Sequence, residues 1–210
     1  MSNTAKNNIL KKIRLALTHS TPIPFPEAEA KTNFVQPLQQ DIVVEFAEQF
    51  TQIQGKFSYC TSEQEMLLLI EDLFKKQEWT KVFAIEERWI HLVPESICTD
   101  DIITSDAAIT GCEALIARTG SILLSSKTGG RITSVYTPVH ICIAYTSQLV
   151  YDIEDGLSFL NKKYQNKLPS MITLATGPSR TADIEKTLVV GVHGPKEVYC
   201  FLVDDSTQAS

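Results

Sequence analysis

Cysteine is sparse and unpatterned in this chain. Cys60, Cys98, Cys112, Cys142 and Cys200 are the only five among 210 residues, and none belongs to a CxxC, a CxxH or a ferredoxin-type run. That disfavours a sequence-encoded zinc site or iron–sulfur cluster. An odd thiol count without a secretory leader argues for reduced thiols in a cytosol. Cys142 and Cys200, inside VHICIAY and VYCFLV, read as small buried hydrophobes. Long apolar runs are missing as well: stretches such as Met66–Ile70 and Ile141–Tyr145 fall far short of the roughly 20 residues a membrane helix needs. The first 20 residues show no apolar core followed by a small-residue cleavage site, so a cytoplasmic location is expected. Glycine and proline number only nine each, which excludes collagen-like and low-complexity chains. An excess of positive charge is absent too. With 19 Lys and Arg against 25 Asp and Glu, the net charge is −6, and nucleic acid has no electrostatic footprint to meet. No GxxxxGK[ST] loop, GxGxxG fingerprint, GxSxG elbow or diagnostic carboxylate pair is present.

What is there is a globular composition. Apolar residues make up 43%, and a chain of this length buries roughly 70% of its unfolded surface without disulfide or metal support. Residues 5–18 carry Ile9, Leu10, Ile13 and Leu17 at helical spacing, with Lys6, Lys11, Lys12 and Arg14 on the other side. Prolines 22, 24, 26 and 37 follow, which marks a linker or strap. Residues 1–38 are thus expected to form an amphipathic arm and proline-rich strap, and 39–205 the domain. Within it the patterns predict helices over Asp41–Ile53, Thr61–Gln77, Glu86–Ile90 and Ile153–Tyr164, the second opened by a capping box at Thr61 and Gln64. Strands are expected at Lys56–Cys60, Lys81–Ile85, Asp101–Thr104, Val139–Tyr145, Met171–Ala175, Leu188–Val192 and Val198–Val203. ALIA and SILLS read as a strand–turn–strand unit. Alternation in the first half implies parallel βαβ units, and the later hairpins imply a mixed sheet.

Three segments carry candidate chemistry. In ITLATGPSRTADIE a strand stops at Gly177-Pro178, and Ser179, Arg180 and Thr181 then present two hydroxyls and a guanidinium. At the carboxyl end of a strand this set suits a carboxylate or phosphate. Equally, Ser179 or Thr181 caps a turn while Asp183 or Glu185 neutralises Arg180. In GVHGPKE, His193 precedes a Gly-Pro turn, where an imidazole serves proton transfer or bonds a backbone carbonyl. His140 enters an apolar strand and reads first as a satisfied core histidine. In the third segment Glu113 precedes a strand, Thr119-Gly120-Ser121 forms a tight turn, and Gly129, Gly130 and Arg131 form a loop. The glycines supply positive φ, and Lys127 and Arg131 would add positive charge beside an anion.

The ordered set ITG at 109–111, TGSILL at 119–124, GGR at 129–131, PVHI at 138–141, TGPSRTADIE at 176–185 and GVHGPKE at 191–197 closely resembles the lactate utilisation protein C family, the LUD domain. The likeness covers roughly residues 100–204, and GPSRTADIE and GVHGP are its most specific parts. It implies an α/β fold similar to the NagB, ribose-5-phosphate isomerase and CoA-transferase group, with a largely parallel central sheet flanked by helices and hairpin additions. It also implies bacterial L-lactate oxidation to pyruvate together with iron–sulfur partner proteins. Ser179, Arg180, Thr181, Asp183, Glu185 and His193 stand where the family pattern places them. Arg118 stands where the family's turn has an acidic residue, which leaves Glu113 as the nearest acidic candidate.

The expectation is therefore an accessory or anion-binding subunit of a lactate-oxidising system that encodes no cofactor or metal site itself, its iron–sulfur clusters residing in partners. Ser179, Arg180, Thr181, Lys127, Gly129, Gly130 and Arg131 are the expected anion contacts. Asp183, Glu185 and His140 support them, and His193 and Glu113 are the catalytic candidates. A stand-alone protein for a small phosphorylated or CoA-linked substrate is the alternative, and a purely structural partner docking through residues 1–38 a third. A homo-oligomer is left open.

Overall fold

A computed structural model describes residues 3–18, 36–130, 132–165, 167–184, 187–191 and 193–206. They fall into two units, Met1–Pro37 and Leu38–Ser210. The first contains helix α1 (Asn3–Leu17), on which Ile9, Ile13 and Leu17 are exposed. Among the described residues no helix is long and apolar enough to cross a membrane.

The second unit is built on a six-stranded sheet whose strands all run parallel. They are β1 (Lys56–Cys60), β12 (Glu197–Val203), β7 (Val139–Tyr145), β4 (Ala107–Thr110), β2 (Val82–Ala84) and β3 (Cys98–Thr99), in that spatial order. Parallel strands covered on both faces read as continuous apolar runs, and β7 and β12 do so. Along β7 the side chains of Val139, Ile141 and Ile143 join a cluster with Met66, Ile70, Trp89 and Phe201, while Cys142 and Ala144 join another with Phe46, Phe50, Cys200 and Leu202. Full burial of Ile141 and Ile143 contributes on the order of 1.5–3 kcal/mol each.

Helices α3 (Glu63–Lys76) and α4 (Glu87–Ile90) supply the first cluster. The cap of α3 is Ser62, one residue later than the expected Thr61. Ser62 accepts from Glu65 N, and the Glu65 carboxylate reaches back to Thr61 N and Oγ1. The second cluster is covered by α2 (Ile42–Gln52), capped by Asp41, and by a four-stranded sheet ordered β8 (Leu149–Val150), β5 (Ala114–Ile116), β6 (Ser121–Ser125) and β9 (Ile172–Ala175). β5 and β6 form the expected hairpin, and β9 extends it antiparallel to β6. The short helix α5 (Thr133–Tyr136) precedes β7, and helix α6 (Ile153–Lys163) lies on the outer face through Leu160 against Ala114, Ile116 and Leu123.

Two strand expectations need correction. Asp101–Thr104 is not a strand: Asp101 captures Ile103 N and the Thr104 hydroxyl and winds Ile102–Thr104 into a short 3-10 turn. The strand lies just beyond, at β4, where the fully buried Ala107 and Ala108 sit between β2 and β7. The three late strands also do not complete one sheet. β12 joins the central sheet and β9 the second. Among the described residues, β11 (Thr187–Val190) pairs only with β10 (Arg180–Ile184), in a two-stranded hairpin. Within GPSRTADIE, Arg180–Ile184 is therefore strand.

Candidate functional site

The site begins at the end of α2. Ile53, its C-cap residue, has a carbonyl left over by the helix, and Arg180 donates to it from Nη2 at 2.8 Å, a favourable place for a cation. Gly177, with φ +73, closes down on the same point: a Cβ there would stand 2.6 Å from Ile53 O. The segment 176–180 is then fastened to Gly191 and to residues 193–196. Ser179 N donates to Pro195 O at 2.8 Å, and Gly191 N donates to Ser179 O at 2.9 Å. Gly194 approaches so closely that a Cβ would meet Ser179 Cβ at 2.9 Å. Lys196 N donates to Pro138 O at 2.7 Å, which ties the second loop to the start of β7.

These ties enclose an open cleft of about 420 Å³, lined among others by Val135, His140, Thr176, Ser179, Arg180 and His193. A neighbouring hollow of about 380 Å³ shares Val135, His193 and Gly194 and adds Tyr136 and Lys196. The cleft sits at the carboxyl end of β9 but at the amino ends of β7 and β12, opposite to the usual ligand edge of a parallel sheet. Exposed Arg180 and exposed His193, on either side of the β10–β11 hairpin, line one hollow.

His140 forms the floor. It is fully buried, its Nε2 lies 2.8 Å from Thr110 Oγ1, and its Nδ1 has no partner among the described residues. It is thus only half a satisfied core histidine. Burial depresses its pKa to about 4, so the ring is neutral at physiological pH. In the unfolded chain the same ring titrates near the ordinary value of about 6.5. Between those two values the unfolded chain binds the extra proton, so stability falls as pH is lowered through that window. Urea midpoints of the wild type are expected to show this slope between pH 6.5 and 4.5, and His140→Gln to lack its contribution. An unchanged slope in the variant would contradict the burial of a neutral ring.

Thr176 opens a chain of hydroxyls that sequence reasoning missed. Its Oγ1 lies 2.8 Å from Ser121 Oγ, which lies 2.7 Å from Thr119 Oγ1. The signal was present in the register, since Ile122 pairs with Ala175 and so sets Ser121 beside Thr176.

Other candidates lie elsewhere. Glu113 is fully buried and does not line the cleft. Ser125 Oγ and Tyr164 Oη donate to its Oε1 at 2.5 and 2.8 Å, and Lys163 Nζ to its Oε2 at 2.7 Å. Burial alone would raise its pKa. The hydrogen bonds from Lys163, Ser125 and Tyr164 outweigh that and hold it below the ordinary carboxylate value. Arg118 donates from Nε and Nη2 to Asp152, the N-cap of α6, at 3.1 and 2.6 Å, which makes it an ion pair rather than an anion contact. Lys127 is exposed and outside the cleft lining. Gly129 and Gly130 have φ +67 and +79 and do not line the cleft, and a Cβ on Gly129 would meet Cγ2 of Thr110, the residue that holds His140, at 2.6 Å. The backbones of Thr181 and Asp183 belong to β10. Arg131 and Glu185 lie outside the described residues. Among the described residues no three His, Cys, Asp or Glu side chains gather as a metal-holding set.

Comparison with known proteins bears on the same segments. The LUD domain family profile matches residues 43–203. Lactate utilization protein C of Bacillus subtilis is 38% identical over 104 residues, covering 48% of this chain and 43% of that protein. Its namesake from Deinococcus radiodurans is 34% identical over 101 residues, covering 47% of each. An uncharacterized protein of Neisseria meningitidis serogroup B is 37% identical over 101 residues, covering 48% of this chain and 43% of that one. The matches thus span less than half the length of these curated relatives. The crystal structure of a DUF162 family protein from Deinococcus radiodurans superposes with a TM-score of 0.59 at 21% identity, over 80% of this chain and 99% of that one, and shares the fold.

Proposed function

The chain belongs to the LUD domain family, and from that premise we propose that it serves a lactate-utilisation system by binding a small carboxylate anion in the cleft of segments 176–180 and 191–196. The observation that supports this is the meeting of Arg180 and His193 with Ser179 and His140 in one hollow. A guanidinium offers five N–H donors in a planar fork, and Ile53 O takes one of them. The fork matches a carboxylate. His193, exposed at the rim, is the group placed to exchange a proton with solvent or a substrate. Ser179 and Thr176 add hydroxyls that donate or accept as the anion requires. Glu113, bonded through both oxygens inside the fold, acts in this account on stability and not on chemistry.

Oxidation of lactate to pyruvate releases two electrons, and this reading assigns their acceptor to iron–sulfur partner proteins. The chain's cysteines are spaced without a cluster-binding pattern, and Cys60, Cys112, Cys142 and Cys200 are buried. The role proposed is thus accessory: holding and orienting the organic anion for a reaction whose electron carrier is elsewhere.

Calorimetric titration with L-lactate and pyruvate checks the site. Loss of a charge-assisted hydrogen-bonding group costs about 1.5–3 kcal/mol, so Arg180→Gln is expected to weaken binding about tenfold or more. Arg180→Lys keeps the charge but not the fork and is expected to fall between. Because Arg180 also holds Ile53 O, melting curves of both variants separate loss of the anion contact from loosening of α2. Equal affinity in all three proteins would remove Arg180 from the site.

A further inference from the structure

The unpartnered nitrogen of His140 says more about the ligand than its position alone. We infer that His140 is held by Thr110 in the tautomer that carries its proton on Nδ1, and that this neutral N–H is donated into the cleft to an oxygen acceptor of the bound anion, the 2-oxo or 2-hydroxy oxygen of a small carboxylic acid.

Donors and acceptors around the ring select the tautomer. A neutral imidazole has one N–H and one bare nitrogen. Nε2 is 2.8 Å from Thr110 Oγ1, and both residues are buried. Suppose Nε2 held the proton and donated to Thr110. The threonine hydroxyl proton would then need its own acceptor, and no further partner of Oγ1 is found among the described residues, while Nδ1 would be a bare acceptor with nothing to accept. Two groups would be left over in a buried place. If Thr110 instead donates to Nε2, that bond consumes both the hydroxyl proton and the ring's lone pair. One group is left, the Nδ1–H. Buried polar groups are seldom unpaired, so the second arrangement is the one the surroundings select. The strand register supports it: His140 shares its face of β7 with Cys142 and Ala144, and Val198 pairs with it on β12, so apolar neighbours offer the ring no competing acceptor there.

The remaining N–H belongs to a side chain in the wall of the cleft that Arg180 also lines. A donor that is neutral, buried and not free to rotate selects an oxygen with lone pairs, and does not attract a second carboxylate as a cation would. Beside a guanidinium it suits an anion whose neutral oxygen sits next to its carboxylate. His140 is thereby a donor to substrate and not a base, and Thr110 is a positioning residue that fixes its tautomer. Gly129, pressed against Thr110 Cγ2, keeps that threonine in place.

The inference rests on the proposed carboxylate site for its choice of probes, and on the cleft's own geometry for the tautomer. The test uses the full chain with ¹⁵N-labelled histidine and arginine. In the free protein the long-range ¹H–¹⁵N pattern of His140 should report protonated Nδ1 and bare Nε2. Pyruvate should shift the Nδ1–H, while propionate, which lacks the 2-oxo group, should shift the Arg180 resonances and leave His140 in place. The affinity ratio of pyruvate over propionate, expected at about threefold to tenfold for one hydrogen bond, should collapse in Thr110→Val, a variant of nearly unchanged shape. If that variant melts below the wild type, the wild-type ring pattern still decides. An Nε2-protonated ring in the free protein overturns the inference. So does an Nδ1–H indifferent to pyruvate while Arg180 responds, and that outcome leaves the carboxylate site standing. Silence of both residues toward every probe overturns the two together.

Discussion

Gly120→Ala is expected to destabilise the protein by about 2–5 kcal/mol, the sum of about 1–2 for a left-handed backbone imposed on an L-residue and about 1–3 for overpacking. Gly120 has φ +60, and it closes the turn between β5 and β6 directly against α2. A Cβ there would stand 2.6 Å from Phe50 N, 2.7 Å from Gln49 C and 2.8 Å from Phe50 Cα. Those are backbone atoms of a helix, and they cannot swing aside as a side-chain tip can. The helix would have to move off the second sheet, taking with it Phe46 and Phe50, which are fully buried and stacked on each other. It would also move Ile53, the residue to which Arg180 is bonded, so loss of stability and distortion of the cleft should come together. Gly130→Ala is the internal control. It shares the positive φ, at +79, but its Cβ would find its nearest neighbours at 3.8 and 4.0 Å, so only the backbone cost of about 1–2 kcal/mol applies. Urea unfolding of the two variants reads the difference. Equal losses would mean that α2 does not press on this turn.

Glu113→Ala should cost about 2–4 kcal/mol, which for a chain of this length lowers the melting temperature by roughly 5–10 °C. The carboxylate is fully buried and takes hydrogen bonds from Ser125, Tyr164 and Lys163. Alanine would leave two hydroxyls without their acceptor and Lys163 without its counter-ion. The lysine side chain is 43% exposed and turns to water, which is why the full cost of breaking a buried pair is not expected. Since Lys163 and Tyr164 stand at the end of α6, the variant should loosen that helix from the second sheet first, seen as faster amide exchange across Ile153–Lys163. Glu113→Gln keeps the shape and one acceptor and should lose less. A Glu113→Ala protein that melts within about 2 °C of the wild type but no longer binds pyruvate would return this residue to the catalytic candidates.

Much of the fold was legible because its strongest elements obey local rules. β1 and β7 have the residues that strand patterning assigned, and α2 falls inside the expected span Asp41–Ile53, whose two ends are its caps. β4 escaped notice because its pattern, AAIT, has two alanines where β propensity looks for branched or aromatic side chains. What recommends those alanines is the narrow space between β2 and β7, and that is a tertiary fact. DIIT drew the eye instead, yet an aspartate that binds its own following backbone outweighs the β-branched pair. The site was legible in parts. GPSR and GVHGP could be singled out by residue type, but their contact through Ser179, Pro195 and Gly191 has no local signature. Ile53, Thr110 and Thr176 enter the site purely by register and packing. Glu113 became a catalytic candidate because Arg118 stands where the family's turn has an acidic residue, and Glu113 is the nearest acid before it. Its three donors come from positions 125, 163 and 164, which no spacing rule connects to 113.

Amide chemical-shift mapping with pyruvate and L-lactate tests the cleft most directly. Shifts should concentrate on Thr176, Gly177, Ser179, Arg180, His193 and Gly194, and Arg180→Gln should abolish them at concentrations that saturate the wild type. Shifts gathered instead on Glu86, Gly111 and Gly129, at the carboxyl ends of β2 and β4, or shifts that persist unchanged in Arg180→Gln, would contradict a site in the cleft.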